Sequence, residues 1–273
     1  MWGTTLWIVA PLDVTMRGDH VPLLEVRDVA VQFGGVVALD GLSFDIEERQ
    51  ICALIGPNGA GKTTLFNVVS RLYDADRGRV TFDGDDLLAR PPHGIARLGI
   101  ARTFQNLALV PGLSVLDNVI VGAHSVTRGG FWAAALSVPM LRQERRLRTE
   151  GMEALERLDL AALAGLPCAG LPYGTLKRIE LARAIMSRPR LLLLDEPASG
   201  LSHGEVDELS EVIRGLRDSN DLTVLLVEHH MGMVMAISDH VVVMEFGERI
   251  ASGTPAEVRE DPKVIAAYLG AAP

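Results

Sequence analysis

A short apolar run, Ile51-Cys52-Ala53-Leu54-Ile55, leads directly into Gly56-Pro57-Asn58-Gly59-Ala60-Gly61-Lys62-Thr63. The order is strand, glycine-rich loop, helix start. In that order, the spacing Gly, four residues, Gly-Lys-Thr points to a phosphate cradle in an α/β fold. The glycines let backbone N–H groups turn inward as an anion nest. A helix beginning near Gly61 adds the positive end of its dipole. Lys62 is placed to reach terminal phosphates, and the Thr63 hydroxyl to hold Mg²⁺. Gly56 to Thr64 are therefore the candidate nucleotide-binding residues, among them Pro57, Asn58, Gly59, Ala60 and Gly61.

A second anchor lies far along the chain, in Leu191-Leu192-Leu193-Leu194-Asp195-Glu196-Pro197. A buried strand here delivers two carboxylates at its C-terminal end, where α/β sheets bind ligands. Asp195 is the candidate Mg²⁺ ligand, acting through water. Glu196 is the candidate for polarising the water that attacks a γ-phosphate. Together with the phosphate loop, the pair points to ATP and Mg²⁺ as ligands.

Between and around these anchors the pattern alternates. Leu23 to Phe33 and Val36 to Ile46 read as antiparallel strands. Lys62 to Leu72 reads as a helix, and Arg79 to Phe82 as a strand. Residues about 114–187 read as a helical insert, with Ser114 to Leu163 rich in Ala, Leu, Arg and Glu at helical spacing. After it come a helix over Val206 to Arg217, a strand over Thr223 to Val227, a short helix from Met231 and a hairpin around Phe246-Gly247. A last helix opens at Asp261-Pro262. Strands alternating with helices imply a mostly parallel sheet covered on both faces. The expected fold is α/β: a P-loop NTPase core, an N-terminal antiparallel β subdomain and an inserted α-helical subdomain. Residues 1–21 read as a flexible extension, and 22–273 as one ATP-binding domain.

Composition excludes several classes. A net charge of −9 over 273 residues argues against a general nucleic-acid binder. The two cysteines, Cys52 and Cys168, set up neither a disulfide framework nor a metal spacing. No apolar run approaches the ~20 residues that span a bilayer.

Leu171-Pro172-Tyr173-Gly174-Thr175-Leu176-Lys177-Arg178 stands between the anchors. Here the chain resembles the nucleotide-binding subunits of ABC transporters, which carry a Leu-Ser-Gly-Gly-Gln signature in this place. The Leu-x-Tyr-Gly form is similar to branched-chain amino acid importers. The likeness covers about Leu23 to Leu269 and includes Ala267-Tyr268-Leu269-Gly270. It implies that Pro172, Tyr173, Gly174 and Thr175 meet nucleotide held by another copy, and that Phe33 stacks on adenine. It implies that Gln105 touches Mg²⁺ and senses a transmembrane partner. It implies that His229, rather than its neighbour His230, is the switch histidine at the γ-phosphate. Ser199 to Ser202 match a loop that crosses the dimer interface. Catalytic roles thus fall to Glu196, His229, Lys62 and Gln105, and metal contacts to Thr63, Gln105 and Asp195.

The sequence departs from the family pattern at Pro172 (usually Ser), Thr175 (usually Gln) and Ser202 (often Asp). The resemblance further implies two transmembrane permease subunits, a second ATP-binding subunit packed head to tail, and indirectly a substrate-binding protein. It implies a peripheral place on the cytoplasmic face of the cell membrane. A lipopolysaccharide-type exporter subunit and a soluble non-transport ABC ATPase are the alternatives. The single domain, the acidic balance and the lack of sustained heptads weigh against the soluble reading.

Overall fold

The computed structural model describes residues 21–103, 107–125 and 137–269. Gln105 and nearly all of the N-terminal extension fall outside them.

Strands β1 (Leu24–Phe33) and β2 (Val36–Ile46) pair antiparallel. With β4 (Arg77–Phe82) and β5 (Asp85–Asp86) they form a four-stranded sheet in the order β2-β1-β4-β5. This is the expected antiparallel subdomain. The second sheet has six strands. β3 (Ile51–Ile55), β6 (Ile100–Arg102), β7 (Leu191–Asp195), β8 (Thr223–Val227), β9 (His240–Glu245) and β10 (Glu248–Gly253) lie in the order β10-β9-β3-β8-β7-β6. All neighbours are parallel except the β9–β10 hairpin.

The run of four leucines in β7 conceals an alternation. Leu191 and Leu193 join one core cluster, with Phe66 and Leu65, while Leu192 and Leu194 join another, with Ile179 and Val206. Both faces are dry, so neither calls for a polar residue and period two vanishes from the sequence. Helix α1 (Lys62–Val69) covers the first face. It stops earlier than the expected Leu72, with Ser70 closing its last turn by donating its hydroxyl to the Phe66 carbonyl.

Helices α2 (Val115–Val121), α3 (Ser137–Glu156) and α4 (Tyr173–Ile185) lie between β6 and β7 in sequence and pack on one another. Gly122 marks the closest approach: a Cβ there would lie 1.9 Å from the Arg183 carbonyl oxygen of α4. Buried Asn118 ties the preceding loop to α2, bonding both the N–H and the carbonyl of Val110. Helices α5 (His203–Asn220) and α6 (Met231–Ile237) complete the second face. Helices α7 (Pro255–Glu260) and α8 (Pro262–Leu269) close the chain against β9 and β10. Among the described residues, no helix is long and apolar enough to cross a membrane.

Candidate functional site at the strand ends

The phosphate loop follows β3, and two of its glycines are obligatory on steric grounds. A Cβ on Gly56 would lie 2.1 Å from the Met244 carbonyl oxygen, and one on Gly61 would lie 2.3 Å from that of Ala38. Both have positive φ, 153° and 98°. The loop is thus wedged between β9 and β2. The turn of the β9–β10 hairpin clamps it further, since Gly247 N–H donates to Ala60 O at 3.1 Å and Asp40 N–H to Gly247 O at 3.0 Å. Gly61 is the N-cap of α1 and brings no side-chain acceptor, so the first-turn N–H groups lack a side-chain partner.

Lys62 folds back over this loop. Its ammonium donates to the carbonyls of Gly56 (2.7 Å) and Pro57 (2.9 Å). Burial pushes its pKa below the ordinary lysine value, while the charges of Glu196 and Asp195 pull it back up. The lysine therefore sits within the field of both carboxylates. The Thr63 side chain is exposed beside it.

Asp195 ends β7, and Glu196 follows with φ of 47°. That left-handed conformation is sparsely populated by non-glycine residues and costs on the order of 1–3 kcal/mol. It is fixed by the Glu196 N–H bond to the Val227 carbonyl at 2.9 Å and by the turn that Ser199 N–H closes on Glu196 O at 3.1 Å. The strained backbone aims the Glu196 side chain toward the end of β8. There, His229 Nδ1 lies 3.8 Å from Glu196 Oε1.

The neighbouring histidine is spoken for: His230 is the N-cap of α6, and its Nδ1 accepts from Met233 N–H at 3.2 Å. The His229 imidazole projects outward instead, with a side-chain exposure of 63%.

Lys62, Asp195, Glu196 and His229 are thus drawn together from three parallel strands. Phe33 sits at the end of β1, half exposed, with the Tyr73 ring edge-on at 5.1 Å. Pro172, Tyr173, Gly174 and Thr175 lie elsewhere, at the start of α4. Tyr173 packs on Gly200, and Gly174 abuts Glu205 so closely that a Cβ would meet its Oε1 at 2.7 Å.

Several contacts escaped the sequence reading. Arg102, at the end of β6, donates to Asp195 Oδ2 at 2.9 Å and to Asn67 Oδ1 of α1 at 2.8 Å, and lies over the Phe66 ring. It pins the aspartate to the phosphate-loop helix. Its signal is a charge at the end of an otherwise apolar strand. Tyr268 of α8 takes a backbone hydrogen bond from Gly56, although burial is what dominates its phenol and pushes its pKa up. Ser202 and Glu205 form a capping box at the start of α5. The spacing Ser-x-x-Glu before an apolar helix shows it in sequence. The serine thereby serves α5 in the N-cap role that suits Asp equally.

Among the described residues, no three His, Cys, Asp or Glu side chains form a metal cage. An exposed Thr63 hydroxyl at the start of α1 and the Asp195 carboxylate at the end of β7 are instead the kind of partial shell that Mg²⁺ completes with phosphate oxygens and water. With the uncapped helix start and the lysine, these residues fit a magnesium nucleotide.

Known proteins resemble the chain over most of its length. Residues 39–199 match the ABC transporter family model, and residues 248–273 match that of the branched-chain amino acid ATP-binding cassette transporter. The high-affinity branched-chain amino acid transport ATP-binding protein BraF of Pseudomonas aeruginosa is 43% identical over 255 residues, covering 92% of this chain and 99% of its own. LivG of Escherichia coli K12, of the same description, is 39% identical over 255 residues, with the same coverage. Two crystal structures share the fold at 30% identity. A nucleotide-free ATP-binding cassette from an ABC transporter has a TM-score of 0.79, covering 91% of this chain and 99% of its own. Another cassette, in its ADP conformation, has a TM-score of 0.80, covering 92% and 99%. The chain belongs to the ABC transporter family, within its group of branched-chain amino acid transport ATP-binding proteins.

Proposed function

We propose that this chain hydrolyses ATP at the edge of its parallel sheet and so energises uptake of branched-chain or related amino acids through membrane-embedded partner subunits. The observation that carries the reading is the convergence of Lys62, Asp195, Glu196 and His229 at the ends of β3, β7 and β8. The similarity to BraF and LivG supplies the substrate class.

The roles follow from the chemistry. Lys62 donates to the terminal phosphates in place of its two loop carbonyls, together with the N–H groups at the start of α1. Thr63 and Asp195 hold the metal side, and Arg102 keeps Asp195 aimed at it. Magnesium, when bound, supplies charge neutralisation at the phosphoryl oxygens. Glu196 orients the attacking water and accepts its proton. His229 donates a hydrogen bond on the γ-phosphate side. Phe33 offers its exposed ring to the adenine. Gln105 is assigned the link between metal and permease on resemblance alone.

The signature residues start a different helix from the one that follows the phosphate loop, and by family resemblance they serve the nucleotide of a second subunit. Two chains then pack head to tail, on the cytoplasmic face of the membrane, with two permease subunits above them. The test is reconstitution of the chain with its permease subunits in liposomes. Leucine uptake should require internal MgATP and the matching binding protein. ATP hydrolysis without amino-acid uptake would overturn the substrate assignment, and no hydrolysis would overturn the whole reading.

Pro172 offers a separate check. It occupies the N-cap of α4 with no side-chain acceptor, where a serine hydroxyl would reach the partner's nucleotide. Pro172→Ser should raise ATP turnover of the assembled complex about fivefold, the value of one added neutral hydrogen bond. Turnover equal to the parent would show that the position is indifferent.

A further inference from the structure

Glu228 directly follows β8 and is among the most buried carboxylates of the described residues, with no exposed side-chain surface. Three backbone N–H groups converge on it. Ala198 donates to Oε1 at 2.8 Å, and His229 and His230 donate to Oε2 at 2.7 and 2.8 Å. The first donor belongs to the turn carrying Glu196, and the second to the histidine facing it. We infer that Glu228 is a positioning residue for the reaction: its carboxylate locks the 196–201 turn to residues 228–230, so that Glu196 and His229 keep one mutual geometry.

The inference rests on the ATPase reading of those two side chains. The physical case for it is independent of that reading. Burying a carboxylate is costly unless hydrogen bonds compensate. Here the compensation comes from backbone donors of two separate segments, 30 residues apart. Among the described residues, the backbone bonding between β7 and β8 ends at the Glu196–Val227 pair, just short of both segments' donors to Glu228. The exposed His229 ring makes a 3.8 Å approach to Glu196 and a 4.0 Å approach to Glu228, too long to fix its own position. Its backbone must be held instead, and Glu228 does this from beneath.

The tie extends further. The same turn contains Gly200, against which the Tyr173 ring of the signature helix packs. A shift of the 196–201 turn would therefore reach both the chain's own catalytic pair and the signature it offers to a second subunit.

A glutamine cannot replace this carboxylate. It keeps the shape but has one acceptor oxygen, and its NH₂ must point either at Ala198 N–H or at the two histidine N–H groups. One segment is then released. In the assembled transporter, Glu228→Gln should lower kcat about 10- to 100-fold. KM for ATP and the affinity for nucleotide should stay within about twofold, because Lys62 and the phosphate loop are untouched.

Amide hydrogen exchange reads the tie without catalysis. In the wild-type full chain, the amides of Ala198, His229 and His230 should open together with similar protection. In Glu228→Gln, protection at one of the two segments should fall about tenfold, while β8 amides keep theirs. A variant turning over within twofold of wild type would overturn the inference. So would a loss of ATP affinity as large as the loss of kcat. Should the variant not fold, wild-type exchange decides alone: an unprotected Ala198 amide beside protected His229 and His230 amides overturns the tie, and common protection supports it. A wild-type complex without ATPase activity instead defeats the parent reading.

Discussion

Glu196→Gln is expected to cut ATP turnover by about 10²–10⁴-fold while leaving MgATP binding intact. The glutamine keeps the side chain's length and its hydrogen bond to water, but it cannot accept the proton that the attacking water must lose. Backbone strain does not change, because φ of 47° at this position is imposed by the flanking bonds to Val227 and Ser199 rather than by the carboxylate. Nucleotide would then persist between paired subunits. Size-exclusion chromatography should show a dimer with MgATP and a monomer without it. Turnover within tenfold of wild type would remove Glu196 from the role of base. A monomer under saturating MgATP would remove the head-to-tail arrangement.

Lys62→Ala is expected to weaken MgATP binding about 100-fold, the combined value of the charge-assisted bonds its ammonium would make to phosphate oxygens. The empty protein should hardly change in stability. In it, the ammonium bonds two carbonyls of its own loop, at 2.7 and 2.9 Å, and its partial burial outweighs the attraction of Glu196 and Asp195 for the charge. The two effects separate a ligand-binding lysine from a structural one. Isothermal titration with MgATP and thermal melts without nucleotide measure them side by side. A large drop in melting temperature with unchanged affinity would make the lysine a loop brace.

Much of the site was legible because its parts are local. Gly56 to Thr63 specify loop and helix start within eight residues, and Leu191 to Glu196 specify a buried strand and its carboxylates within six. Element ends were less legible. Helix α4 begins at Tyr173, directly after Pro172, a residue that suits a helix entry, within the helical insert that the sequence placed at about 114–187. Helix α5 runs from His203 to Asn220, longer at both ends than the apolar stretch Val206 to Arg217. The Ser202 capping box extends its start, and its last turn is polar and solvent-facing. The three residues of β6 are too few to show any period, and only pairing with β7 makes them a strand.

The order of glycine, lysine and carboxylates along the chain settled that this protein handles a phosphorylated ligand, since those preferences are written in neighbouring residues and need no distant partner. Three-dimensional folding added the physical contrast between His229 and His230, which family resemblance had already separated: one imidazole caps a helix and the other turns toward Glu196. It alone joined Arg102 to Asp195 across 93 residues and Glu228 to Ala198 across 30. The reason is one of range: backbone propensity and spacing act within a few residues. A buried charge finds its partners only where separate strands end side by side.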